Sequence, residues 1–75
     1  MNQIDYLVRH YFYIVKYSAP NEAYLARCLE LEIMAHGNSQ EEAISKIKEA
    51  TKVHLLMLEE DGDEISEPLT LEAIS

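Results

Sequence analysis

The longest periodic pattern of apolar and polar positions runs from residue 40 to residue 60. Apolar side chains recur every three or four residues, and most charged side chains fall on the opposite side, as in an amphipathic helix. Ser39 and Glu42 have the spacing of a capping box, in which the glutamate reaches back to the amide of the serine. Gly62 is a typical helix stop. The pattern therefore predicts one helix over about 40–60, roughly 30 Å long.

Three short segments that precede this helix have the composition and alternation of β-strands. In the middle one, Ala26 and Cys28 are expected on one face of the strand and Arg27 on the other, wetter face. The connections are short, which favours an antiparallel meander. The three segments are residues 10–17, 23–29 and 33–36.

The order of these elements predicts an α+β fold of two layers, β-β-β-α. A short edge strand or an extended arm is expected over 63–68, because Pro68 ends any further pairing. The antiparallel sheet of three or four strands has no second sheet to cover its apolar face, so the helix is expected to pack there. The length of 75 residues predicts one domain over 1–75, with a core from about 10 to 68.

The charge is strongly negative and unevenly distributed. Residues 1–40 hold three bases and four acids, a net charge of −1; residues 41–75 hold three bases and ten acids, a net charge of −7, giving −8 in total. Such a chain repels phosphate, which disfavours direct nucleic-acid binding. The single cysteine, Cys28, and an N-terminus without signal-peptide character predict a cytoplasmic protein. No apolar run approaches the length of a membrane span, so no membrane association is expected.

The residue types used in catalysis and metal binding do not form a recognisable set. His10, His36, His54 and Cys28 are scattered along the chain without the spacing of a metal site. An acidic chain also lacks the electropositive surroundings that activate a cysteine. We therefore expect a non-enzymatic protein with no catalytic residue, metal or cofactor.

Two features indicate contact with other proteins. Six acids and no base lie between residues 59 and 67, which is typical either of a solvated chain end or of a surface that attracts a basic partner. Aromatic and aliphatic side chains are also expected on exposed faces, provided that the helix covers Phe12 and Ile14. These side chains could form a homo-oligomer face, giving a dimer or a higher assembly, and they are Tyr11, Tyr13, Tyr17, Val53 and Leu56.

Four segments, taken in order, resemble the sequence signatures of HicB-like antitoxins. Each is short, but together they follow the order and spacing found in that family, and the alignment covers about His10 to Pro68. The segments are Tyr24–Leu31 (YLARCLEL), Gly37–Ala43 (GNSQEEA), Ile47–Ala50 (IKEA) and Glu60–Pro68 (EDGDEISEP).

The resemblance implies a partial ribonuclease-H-like fold, β-β-β-α-β, with the helix packed on the sheet. It also implies a function in a type II toxin–antitoxin pair, because HicB-like proteins bind and neutralise a small, basic, messenger-RNA-cleaving HicA-like toxin. Residues 29–33 (LELEI) depart from the family pattern in lacking its prolines, glycine and second cysteine. A C-terminal DNA-binding domain, common in the family, is not expected here. On charge alone, the expected partner contacts are Glu30, Glu32, Glu59, Glu60, Asp61, Asp63 and Glu64.

Two other functions remain open on the sequence. One is an orphan structural or interaction domain that homo-oligomerises through its sheet face without a toxin. The other is a small-molecule sensor that uses the same sheet face.

Overall fold

The structure, a computed structural model, describes residues 3–69. The three strands form one antiparallel sheet in the order β1-β2-β3, and a long helix follows them. The predicted α+β class and the β-β-β-α order are thereby confirmed. A short N-terminal helix, which the sequence analysis did not predict, precedes them. The elements are α1 (Gln3–His10), β1 (Tyr13–Ser18), β2 (Ala23–Cys28), β3 (Ile33–Gly37) and α2 (Gln40–Asp61).

Both ends of α2 are defined by the predicted capping residues. Ser39 Oγ accepts from the amide of Glu42 at 3.1 Å, while Glu42 Oε1 accepts from the amide of Asn38 at 3.0 Å, one residue earlier than the standard capping box. This second hydrogen bond is the main reason why the pKa of Glu42 is lowered. Gly62 adopts the left-handed conformation (φ 74°), and its amide and that of Asp63 donate to the last turn in a Schellman motif.

A close approach between β3 and α2 fixes where the helix begins relative to the sheet. Gly37 is the last residue of β3, and a Cβ atom there would lie 2.7 Å from the backbone nitrogen of Ala43 and 2.9 Å from the side chain of Glu42. A backbone atom cannot move aside as a side chain can, so a glycine is required at this position.

The core lies between the sheet and α2. Four side chains of α2 are buried, at the helical spacing i, i+4, i+8, i+12: Ala43, Ile47, Thr51 and Leu55. They face Ala26 and Cys28 of β2, which are fully buried, whereas Arg27 between them is exposed. The predicted assignment of faces in β2 is therefore confirmed.

The prediction for the tyrosine face of β1 is wrong. Tyr13 pairs with Cys28 and Val15 with Ala26, and paired residues of an antiparallel sheet point to the same side, so Tyr13 and Val15 face α2. Ile14 lies instead on the uncovered side and is 49% exposed.

Tyr11 and Tyr17 also differ from the exposed row expected of them. Tyr11 precedes the strand and is only 4% exposed, so it cannot contribute to a surface contact. Its hydroxyl donates to the carbonyl of Ser66 at 2.6 Å, as a buried tyrosine hydroxyl usually requires. Tyr17 alone of the three is largely exposed, at 53%, and its ring packs edge-on against Tyr24.

The N-terminal helix explains why β1 begins three residues later than expected. Ile4 and Leu7 of α1 are buried, and Tyr11 continues the same spacing at i+7 into the core. Asp5 of α1 lies 3.8 Å from Lys52 of α2, an ion pair that joins the two helices. Residues 10–12 therefore belong to the end of this helix and its connection, not to the strand.

Residues 63–69 form an extended arm without strand pairing, so the described chain has three strands. Ile65 packs against the core, Ser66 accepts from Tyr11, and the amide of Leu69 donates to Glu30 at 2.9 Å. We call this segment the C-terminal arm. Of the two sequence predictions for it, the extended arm is the one that forms. The rest of the predicted tail, 70–75, lies outside the described residues.

Tyr11, which is buried, and Tyr13, which is half-buried, predict a loss of stability at alkaline pH. Burial, with a further contribution from nearby acidic groups, raises the pKa of Tyr11 and of Tyr13 from 10.0 to about 12. Between pH 10 and 12 the unfolded chain has lost these protons and the folded chain has kept them, so the free energy of unfolding should fall as the pH rises. Below pH 10 both the folded and the unfolded chain keep these protons, so the contribution of the two tyrosines to the free energy of unfolding is fully present.

Urea unfolding at several values of pH across this range would measure the effect. The informative quantity is the difference between the wild type and Tyr11→Phe, because the subtraction removes the pH dependence that the two proteins share. The variant should show a shallower decline; an identical decline would mean that Tyr11 titrates alike in both states.

Candidate protein-interaction surfaces

Five of the predicted partner contacts lie together at the C-terminal end of α2. All five are exposed, and within residues 3–69 none lies within ion-pairing distance of a base. We call this set the acidic end; it comprises Glu59, Glu60, Asp61, Asp63 and Glu64.

The acidic end is electrostatically unfavourable for the isolated protein. The last turn of α2 contains no basic residue, so its carboxylates face the negative end of the helix dipole. The Schellman motif at Gly62 nevertheless holds the backbone in one direction at this point. The result is a dense negative surface on an ordered helix end.

Glu30, the sixth predicted contact, forms hydrogen bonds within the chain. The amide of Phe12 donates to both of its carboxylate oxygens, at 3.0 and 3.1 Å, and the amide of Leu69 donates to Oε2 at 2.9 Å. The thiol of Cys28 lies 3.8 Å from Oε1. Glu30 therefore joins the start of β1, the β2–β3 connection and the C-terminal arm, and its carboxylate is occupied within the chain.

Glu32, the seventh predicted contact, is at the surface. Its Oε1 lies 3.5 Å from Arg27 Nη2, and both side chains are at least half exposed, so the pair adds little to stability. Its backbone has a positive φ of 54°, which lets residues 29–32 turn between β2 and β3 without the glycine of the family pattern. Glu32 lies in the same β2–β3 connection as Glu30, whose carboxylate accepts from the C-terminal arm at Leu69.

An apolar groove runs along one flank of α2, beside the edge strand β3. Two of its side chains are more than half exposed, Met57 at 57% and Val53 at 53%. Val53 was expected at the surface; the participation of Met57 and of β3 was not. The groove is lined by Ile33, Lys46, Glu49, Ala50, Val53, His54 and Met57.

Leu56, which was predicted to share an exposed face with Val53, does not line this groove. It is 45% exposed and projects from the solvent side of α2, opposite the buried Ile47. Both residues are exposed, as predicted, and they are i, i+3 neighbours on the helix, but only Val53 lines the groove.

The uncovered side of the sheet carries apolar and basic residues in alternation. Strand register places Ile14, Arg27 and Met34 in one row across the sheet, and Lys16, Leu25 and His36 in the next. No carboxylate lies within these two rows. A shallow depression on this face is lined by Ile14, Lys16, Leu25, Arg27 and Met34.

The candidate catalytic and metal residues are not brought together. Cys28 is fully buried, and burial raises the pKa of its thiol, which disfavours the reactive thiolate. His10 stacks on Tyr6, His36 lies on the uncovered sheet face and His54 on the flank of α2. Among residues 3–69, no group of three or more potential metal ligands converges.

Comparisons with known proteins add no relative. No protein-family model, no curated protein and no solved structure matches this chain. In the part of the chain that the structure describes, neither helix has the length and apolar character needed to cross a bilayer.

Proposed function

We propose that this chain is an antitoxin that binds a small, basic, messenger-RNA-cleaving toxin of the HicA-like type and blocks it by protein contact. The acidic end carries the proposal: it gathers five exposed carboxylates on an ordered helix end, where they disfavour the isolated helix and form no ion pair with any base of residues 3–69. The ordered resemblance to HicB-like segments suggests the class of toxin. Such a protein would act in the cytoplasm, where its partner meets messenger RNA.

The proposed mechanism is electrostatic competition. A ribonuclease that binds messenger RNA needs a basic surface for the phosphates, and the carboxylates of the acidic end would occupy that surface instead. The net charge of −8 would accelerate the encounter over a distance of about a Debye length. The antitoxin itself needs no catalytic group for this role.

Reversing charges in the acidic end should weaken toxin binding and strengthen the helix. In the variant Glu59→Lys/Glu60→Lys, attraction to a basic surface becomes repulsion, so the affinity should fall by at least about tenfold at low salt. The free energy of unfolding should rise, because lysines at a helix C-terminus favour the dipole. Titration calorimetry against a purified HicA-like toxin, with urea unfolding in parallel, measures both.

The matched control changes the net charge by the same amount elsewhere. Glu22 lies in the β1–β2 turn and Glu41 in the first turn of α2, and both are exposed. Glu22→Lys/Glu41→Lys should bind with little change. If the two variants bind equally well, or if salt does not affect either, the acidic end is not the toxin contact.

A second candidate function is self-association without a toxin. The apolar groove favours it, since two side chains that are more than half exposed, Val53 and Met57, lie beside an unpaired strand edge.

A further inference from the structure

The strand that borders the apolar groove has an open edge. β3 pairs with β2 on one side, and within residues 3–69 no strand pairs with its other side. Natural proteins usually protect such an edge with lysine, proline or a bulge. The sequence of β3, Ile33–Gly37 (IMAHG), contains none of these residues and no acid. Its backbone is therefore available to another strand.

The helix flank beside this edge is apolar as well. Ala50, Val53 and Met57 follow the i, i+3, i+7 spacing of a helix-packing stripe, and Ile33 of β3 also lines the groove. An exposed strand edge and an exposed apolar stripe lie on the same side of the molecule, so one partner could cover both.

The residues that line the groove have no net formal charge, so a second copy of the chain would not be repelled there. Among the lining residues there is one lysine, Lys46, and one glutamate, Glu49, so their formal charges cancel. The rest of the chain has a large negative excess, since the total is −8. The groove is thus a surface where two copies could meet without the repulsion that the acidic end would cause. Opposite charges can also face each other across a two-fold axis.

We propose that a second copy of this chain docks here. Two β3 strands pair antiparallel across a two-fold axis and make one continuous six-stranded sheet, and the two α2 helices meet along Val53 and Met57. Burial of these side chains adds apolar area that a domain of this size lacks by itself. This pairing gives the interface for the self-association named above as the second candidate function. It does not rest on the antitoxin role, because none of the five residues of the acidic end lines the groove.

Sedimentation equilibrium over about a hundredfold range of protein concentration tests the proposal. The wild type should approach twice the chain mass of 8.6 kDa. Val53→Glu places a charge at the centre of the interface in both copies and should raise the dimer dissociation constant by about a hundredfold or more. Met57→Glu should act in the same way and provides a second variant.

Leu56→Glu is the matched control, because Leu56 lies on the same helix and is similarly exposed but does not line the groove. It should dimerise like the wild type. Hydrogen exchange gives an independent readout of the strand edge: amides of β3 should exchange faster in Val53→Glu, while those of β2 stay protected.

A wild type that is monomeric at every concentration would overturn the proposal. So would a folded Val53→Glu variant that remains dimeric, or equal dissociation of Val53→Glu and Leu56→Glu. Failure of the dimer proposal can be distinguished from failure of the antitoxin proposal by measuring toxin binding. Val53→Glu leaves the acidic end intact, and Glu59→Lys/Glu60→Lys leaves the groove intact.

Discussion

Replacing Ile47 with alanine should lower the free energy of unfolding by about 2–5 kcal/mol, a large loss for a domain of this size. Ile47 is fully buried at the middle of α2, in one cluster with Ala26, Cys28 and Leu55. Its neighbours on the sheet are small, so they cannot expand into the space that the larger side chain vacates. The cost therefore includes a cavity as well as the lost transfer of methyl groups from water.

Urea unfolding followed by circular dichroism measures this loss. Small domains have little stability to spare, so Ile47→Ala should be partly unfolded without denaturant. Leu56→Ala is the control: it removes a similar aliphatic side chain from the solvent side of the same helix and should change stability by no more than about 0.5 kcal/mol. If the two variants were equally stable, the helix would not be packed on the sheet through Ile47.

The sequence is sufficient to predict α2 because several local signals agree on it. Ser39 and Glu42 define its start and Gly62 its end, and the apolar spacing between them selects the buried face. The faces of β2 are also predictable, since Ala26 and Cys28 alternate with Arg27. These assignments depend on neighbours along the chain, which the sequence contains.

The start of the chain could not be assigned in this way. Ile4, Leu7 and Tyr11 have helical spacing, but Tyr11 also begins a run of aromatic and β-branched residues, which is typical of a strand. Assigning Tyr11 to the strand leaves only Ile4, Leu7 and Val8 as aliphatic positions before it, little more than one helical turn. Eight residues are also too few for intrinsic propensity to decide, so packing against α2 determines the outcome.

The face of β1 depends on contacts between strands. Alternation shows that Tyr13 and Ile14 point in opposite directions, but not which one faces the helix. The register decides: Tyr13 is the partner of Cys28 and Ile14 of Arg27. Once this register is known, the faces assigned to β2 place Tyr13 on the covered side of the sheet, together with Cys28.

The two interaction surfaces also differ in how far the sequence alone predicts them. The acidic end is one contiguous run of sequence, so its exposure was predictable from charge. The apolar groove combines Ile33 with residues 46–57 and becomes visible only when β3 lies beside α2. A helical wheel places Val53 and Met57 on one flank, and this is the available sequence signal.

Glu30 illustrates a role that charge alone did not predict. A glutamate near a sheet edge is usually solvated, but this one accepts from the amides of Phe12 and Leu69, both partly buried. Neither amide lies within a regular element, so without the carboxylate each would need water or another acceptor. The side chain thus continues the hydrogen bonding beyond the ends of the strands.

Glu30→Ala should therefore lower the free energy of unfolding by about 1–3 kcal/mol for each amide left without an acceptor. Native-state hydrogen exchange should show the amides of Phe12 and Leu69 losing protection together, with the C-terminal arm opening more often than in the wild type. Glu32→Ala, a carboxylate two residues away that is exposed, should leave both amides unchanged. Glu30→Gln retains one acceptor oxygen and should fall between the two. If Glu30 were instead a contact for a basic partner, Glu30→Gln would weaken binding while stability and exchange stayed at the wild-type level.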